Sequence, residues 1–181
     1  AIEACGSAHC WARELRALGH EVRLLAPKSV RPFVRSNQTD AADAQAIWTA
    51  VQQPEAHFVA VKTEQQQSVL ALHRMRAQLM KFRVMQTNAL RGFLYEFGVV
   101  LPEGYRALLK AWPTALGALV ERLPGMLLDS LREQWARVQR TEADIAAIER
   151  RLACALSNSE ACQRIAAIPG IGLLTSTAAV A

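Results

Sequence analysis

The sequence predicts an α/β segment followed by an all-α segment. Three features lead there: a strand, helix and strand pattern in the first 26 residues, two long apolar-periodic stretches at 63–97 and 126–156, and a composition rich in alanine, leucine and arginine but poor in aromatics. A chain of 181 residues can bury one good core, or one small domain plus an extended helical part.

Taken in order, residues 1–4 suit the end of a buried strand, and Gly6-Ser7 turns into a helix over 8–18. Gly19 stops that helix, as a glycine just past the last turn commonly does. Residues 21–26 read as a short strand ended by Pro27, so the first 26 residues suggest a right-handed crossover in an α/β sheet. A basic loop over 27–37 carries Lys28, Arg31 and Arg35. Next comes a small-residue helix running to about Gln52, capped by Thr39 or Asn37, with Asp40 and Asp43 in its first turn. Residues 58–61 form one more short strand.

Asp40 and Asp43, three apart, project from one side of their helix about a turn apart. Such a pair can hold a hard cation, although acids at a helix start also serve as capping or solvated residues. Glu3, at the end of the first strand, occupies the edge where α/β sheets gather functional groups. Three converging carboxylates repel one another unless cations bind between them, which is the logic of a magnesium-dependent phosphoryl-transfer site. An ordinary strand-end acid is the alternative for Glu3.

The stretch 63–97 predicts one helix roughly 50 Å long, with Val69, Leu72, Met75, Leu79, Phe82, Leu90, Phe93 and Phe97 as its apolar face. Its other positions carry Lys62, Arg74, Arg76, Lys81, Arg83 and Arg91, which can follow a phosphate backbone or form a solvated face. Gly98, Pro102 and Gly104, then Pro113, Pro124 and Gly125, break the middle section into a helical turn-around. A second helix over 126–156 places Leu131, Trp135, Val138, Glu142, Ile145, Glu149, Leu152 and Leu156 at alternating spacings of four and three. Six of these eight are apolar, so the seam reads as an imperfect coiled coil, pairing within the chain or with another subunit. Near the end, Ile168-Pro169-Gly170-Ile171-Gly172 between two apolar helices reads as the hairpin of a helix-hairpin-helix unit. Gly170 and Gly172 would let the backbone approach a phosphate, with helix N–H groups aimed at the anion. A simple helix-helix turn is the alternative.

The formal charge of +5 and isoelectric point near 9.4 point to an anionic partner, nucleic acid being the commonest. Cys5, Cys10, Cys154 and Cys162 lie in two distant pairs without Cys-x-x-Cys spacing, and Cys5, His9 and Cys10 lack a second ligand pair of zinc type. Reduced thiols in a soluble, cytoplasmic protein are expected. No apolar run approaches the ~20 residues that cross a bilayer. With no initial methionine and an alanine-rich run at its close, the chain reads as a fragment of a longer protein.

The residues that combine these features are Glu3-Ala4-Cys5-Gly6-Ser7-Ala8-His9 with Trp11-Ala12, then Ser36-Asn37-Gln38-Thr39-Asp40-Ala41-Ala42-Asp43-Ala44. Val61-Lys62-Thr63 with Gln65-Gln66, Leu72-His73-Arg74, Arg91-Gly92 and Ile168-Pro169-Gly170-Ile171-Gly172 follow in order. Together they resemble the DEDD transposases of bacterial insertion sequences, the insertion-sequence-110 family, whose relatives include the Piv DNA invertase. The resemblance covers nearly the whole chain.

The resemblance implies three parts: a partial RuvC-like ribonuclease-H catalytic domain over 1–62, a helical coiled-coil linker for subunit contacts over 63–157, and the start of a carboxyl-terminal transposase domain over 158–181. It implies that Glu3, Asp40 and Asp43 match the second, third and fourth of four magnesium-binding acids used for DNA strand cleavage and transfer. The first acid and the nucleophilic serine have no match here, and neither Ser36 nor Ser176 takes that role, so this chain alone is expected to be inactive for strand cleavage. It further implies DNA, an element-encoded guide RNA and further copies of the chain as partners. The other readings are a non-catalytic nucleic-acid-binding module and a coiled-coil assembly protein.

Overall fold

In a computed structural model, which describes residues 1–34 and 39–181, β1 (Ile2–Glu3) pairs in parallel with β2 (Leu24–Leu25), and β2 pairs antiparallel with β3 (Phe58–Val59). The sheet order is β1-β2-β3. Helix α1 (Ala8–Ala17) connects the parallel pair, as the strand-helix-strand pattern requires. Gly19, at φ +89°, ends α1: its N–H donates to Arg16 O and that of His20 to Leu15 O, both at 3.0 Å, which together satisfy two terminal carbonyls.

Two differences from the sequence expectation follow from local chemistry. The strand expected over 21–26 is regular only at Leu24–Leu25, where both side chains are fully buried, although Arg23 O and Ala26 N–H still bond to Ile2 and His57 on either side. The basic loop after Pro27 is helical as far as Phe33: α2 (Pro27–Val30) leads into a 3-10 turn (Arg31–Phe33), because each has a proline in its first turn, where a missing N–H costs nothing. Thr39 caps α3 (Asp40–Val51) by accepting from Ala42 N–H at 3.2 Å; Asn37, the other candidate cap, and Arg35 lie outside the described residues.

Alternation along β2 builds two small cores. Leu24 packs with Ala8, Ala12 and Val22 on the α1 side, and Leu25 with Val30, Ala46 and Ala50 on the α3 side. The chain divides into two compact units, Ala1–Gln67 and Ser68–Ala181.

The second unit is all helical. Helix α4 (Glu64–Tyr95) closes at Gly98, φ +73°, where Gly98 N–H donates to Tyr95 O and Val99 N–H to Leu94 O. Helices α5 (Tyr105–Leu119) and α6 (Gly125–Ser157) pack with its far end around Leu90, Leu94, Leu108, Trp112, Leu128 and Trp135. The section expected to be a turn-around therefore carries a helix through Pro113. Pro113 and Leu109, whose carbonyl loses its helix donor, are both exposed, so water can satisfy that carbonyl while Leu108 and Trp112 hold the inner face.

The seam read along α6 is mostly spent inside this unit. Leu131, Trp135, Val138, Ile145 and Leu152 are buried. The two acids that break its pattern accept ion pairs from α4: Glu149 from Arg76 at 2.7 Å, and Glu142 from Arg83. As the arginine number rises by seven the glutamate number falls by seven, so α4 and α6 run antiparallel. The face of α4 differs from expectation: Leu90 and Leu94 are buried, whereas Met75, Phe82, Phe93 and Phe97 are exposed. Finally α7 (Glu160–Ala166) and α8 (Leu173–Val180) pack on α6, joined by the turn at Gly170, φ +87°.

Candidate acidic site and nucleic-acid interface

Glu3 ends β1, and its carbonyl accepts from Cys5 N–H at 2.8 Å, the turn that leads into α1. Its half-buried side chain and that of Asp43 line one open cavity of about 880 Å³, together with Pro27, Lys28, Arg31, Pro32 and Val34. Two carboxylates forty positions apart thus meet two cations in one recess. Asp40, a turn earlier on α3, is exposed and outside this lining. Among the described residues no three His, Cys, Asp or Glu side chains lie close enough together to hold a metal ion. The four cysteines are unbridged, with Cys162 buried and the others exposed.

Several residues in the resemblance motifs have structural work. His9 Nδ1 accepts from Lys62 N–H at 3.1 Å, while Arg13, one turn along α1, donates to Lys62 O at 2.7 Å and to Gln67 Oε1 at 2.6 Å. Thr63 and Gln66 exchange side-chain and backbone bonds at 3.1 and 3.0 Å, a reciprocal cap on the start of α4. His73 Nε2 lies 2.9 Å from Thr177 Oγ1, tying α4 to α8. Ser176 is fully buried and its hydroxyl donates to Gly172 O and Leu173 O, a structural role.

Burial, then the charges of Lys62 and Arg13, hold the His9 pKa below 6.5; burial, then Arg76, does the same for His73. Neutral imidazole is therefore favoured in the folded chain. The stability this contributes is complete above pH 6.5, the unfolded value, and is lost as pH falls through the lowered folded value. His9→Asn, whose amide oxygen can still accept from Lys62 without titrating, is expected to flatten the urea-midpoint loss between pH 7.5 and 5. An unchanged loss would exclude His9 as a source and leave His73.

The basic positions divide. Arg76 and Arg83 are engaged by Glu149 and Glu142, and Arg83 also lies over the Tyr105 ring at 4.9 Å. Arg91 donates to Pro102 O, Gly104 O and Asn88 Oδ1, stitching the end of α4 to the following loop. Arg74 and Lys81 are exposed on α4. Sequence reasoning passed over Arg140, Arg150 and Arg151, exposed on α6; their place off the heptad seam was the signal that marks them as outward. Residues 68–181 carry 14 Lys or Arg against nine Asp or Glu, while residues 1–67 carry seven of each. The whole positive excess thus belongs to the helical unit.

At the hairpin, a side chain on Gly172 would meet no atom within 4 Å, so packing does not explain its bareness, whereas the positive φ of Gly170 requires glycine by itself.

The chain aligns at 41% identity over 182 positions, all of its length, with a probable family 20 transposase of Pseudomonas aeruginosa, covering 54% of that protein. The chain is similar throughout to transposases. The transposase for insertion sequence element IS1328 of Yersinia enterocolitica is 41% identical over 98% of this chain and 52% of its own length. The transposase for insertion sequence element IS1111A of Coxiella burnetii is 34% identical over 97% of the chain and 48% of its own. The chain spans about half the length of the curated relatives it matches. No protein-family model matches it. Among the described residues no helix is long and apolar enough to cross a membrane.

Proposed function

We propose that this chain is part of a DEDD-type insertion-sequence DNA transposase, in which Glu3, Asp40 and Asp43 are magnesium ligands for DNA strand cleavage and transfer. The observation that carries the reading is the shared cavity of Glu3 and Asp43 beside Lys28 and Arg31. Magnesium is commonly bound by one or two carboxylates, with water and substrate phosphate completing its shell, and two hard oxygen donors on an open recess fit that habit. Asp40 projects from the same side of α3 and would join them when substrate is bound. When bound, magnesium would stabilise charge on phosphoryl oxygens. Lys28 and Arg31 would orient the DNA backbone by charge-assisted bonds to phosphate.

On this reading the first unit is a partial RuvC-like ribonuclease-H fold, and the hairpin at Gly170 and Gly172 is a helix-hairpin-helix that admits a phosphate. The helical unit supplies the electrostatic attraction, through Arg74, Lys81, Arg140, Arg150 and Arg151 more than through the engaged Arg76 and Arg83. A structured guide RNA would bind the same exposed basic residues by the same phosphate chemistry.

The test is Mn²⁺ relaxation enhancement, with Mn²⁺ standing in for magnesium, on the chain bound to a short DNA duplex. Asp43→Asn is expected to weaken ion binding at least about tenfold, the loss of one hard ligand, while DNA affinity in EDTA stays unchanged. Salt-dependent DNA binding with no effect of Asp43→Asn on the ion would favour the non-catalytic binding module. Absence of any salt-dependent nucleic-acid affinity would favour the assembly module.

A further inference from the structure

We propose that the groove between α4 and α6 seats an acidic amphipathic helix of another protein. The proposal does not rest on the nucleic-acid reading above, although it draws on some of the same cations.

The floor of the groove is apolar. Met75 and Leu79 of α4 meet Ala147 and Ile148 of α6 around an open recess of about 330 Å³. Phe82, two turns beyond Met75, continues the apolar line along α4. Met75 is 53% exposed and Phe82 42%, so the described residues leave this strip uncovered. An apolar trough between two helices is the shape into which a third helix lays its own apolar stripe.

The rims carry the charge. The ion pairs of Arg76 with Glu149 and of Arg83 with Glu142 set the register of α4 against α6, and that register puts Arg74 level with Arg151 and Lys81 level with Asp144. At about 100° per residue Arg74 and Lys81 share one stripe of α4, and Arg140, Asp144 and Arg151 share one stripe of α6, the last two bordering the recess. Arg74, Lys81, Arg140 and Arg151 are all exposed, and none of them forms an ion pair among the described residues. Asp144 offsets one of these four charges, so the rims keep a positive excess.

The occupant follows from floor and rims together. A second copy would bring the same cationic rims to the groove and be repelled. A nucleic acid offers phosphates to the rims but no aliphatic stripe to the floor. A helix with carboxylates flanking an apolar stripe satisfies both: its charge selects it and steers its approach, and burial of Met75, Leu79 and Phe82 supplies the attraction. Since DNA would draw on the same four cations, the docked helix and DNA compete for them.

The probe is a fluorescein-labelled helical peptide of about 16 residues with leucine along one stripe and glutamate on both flanks; a lysine-flanked version and a scrambled version are the controls. On the 181-residue chain, fluorescence anisotropy should give the glutamate peptide a Kd on the order of 10 μM or tighter, with both controls at least about tenfold weaker. Ala147→Trp, which fills the recess, should weaken the glutamate peptide at least about tenfold while leaving DNA affinity and the helical circular dichroism spectrum unchanged. Arg74→Glu with Arg151→Glu should reverse the preference between the glutamate and lysine peptides. Equal binding of those two peptides by the parent, or equal binding of the glutamate peptide by parent and Ala147→Trp, overturns the proposal. So does a dimer in light scattering that falls to the single 19.9 kDa mass with Ala147→Trp, which would make a second copy the occupant, or a loss of DNA affinity in that variant, which would make the groove a nucleic-acid surface. A chain that binds the peptides in the expected order but shows no affinity for DNA supports the proposal and removes the nucleic-acid reading.

Discussion

Trp135→Ala is expected to lower the stability of the helical unit by about 3–5 kcal/mol, the usual cost of removing a large aromatic from a core. Trp135 is only 8% exposed and stacks on Trp112 with ring centroids 4.8 Å apart and planes 17° from parallel. Trp112 belongs to α5 and Trp135 to α6, so the stack is the centre of the packing between those helices, beside Leu108, Leu128 and Leu131. The stack itself contributes about 0.5–1.5 kcal/mol beyond area burial. Native domains hold only about 5–15 kcal/mol in total, so the variant would stand near its folding threshold. Trp135→Phe keeps an aromatic face on Trp112 and should lose less than half as much. Urea unfolding measures the difference, and near-ultraviolet circular dichroism reports the stack; a loss below about 1 kcal/mol for Trp135→Ala would contradict the packing.

The elements legible in the sequence are those set by local chemistry. Gly19 and Gly98 stop their helices through left-handed backbone, and Thr39 caps α3, each decided within a few residues. What the sequence hid depends on partners far along the chain. Periodicity shows that α4 has apolar residues at helical spacing, but it does not tell which of two neighbouring stripes turns inward, so Met75, Phe82 and Phe93 count towards the same apolar face as Leu90 although they are exposed. Pro113 signals a break in the sequence, but the packing of Leu108 and Trp112 on either side of it holds the helix together. In the first unit the sequence places Glu3 at a strand end, where β1 has it, whereas its meeting with Asp43 in one cavity beside Lys28 and Arg31 needs the fold. Asp40 has the same sequence signature as Asp43, and only the placement of α3 separates them.

Arg83→Ala is expected to cost more than a surface ion pair, about 2–3 kcal/mol, because it leaves Glu142 without its partner at a partly buried helix seam. The Arg83 side chain is 16% exposed and that of Glu142 37%, so the pair is shielded on one side and wet on the other; a fully exposed pair would contribute about 1 kcal/mol or less. Arg83 also covers the Tyr105 ring, so truncation opens packing between α4 and α5 as well. Burial and the Glu142 carboxylate raise the Tyr105 pKa, with Arg83 opposing them, so removing Arg83 should raise it further. Glu142→Gln in the Arg83→Ala background removes the stranded charge and should recover part of the loss, giving a coupling of about 1 kcal/mol or more in a double-mutant cycle. Additive losses would mean that Arg83 acts only through its contact with Tyr105. The same pair fixes the direction of α4 against α6: exchanging the charges, Arg83→Glu with Glu142→Arg, should recover stability, whereas Arg83→Glu with Glu149→Arg should not, since Glu149 lies seven positions further along α6 and faces Arg76.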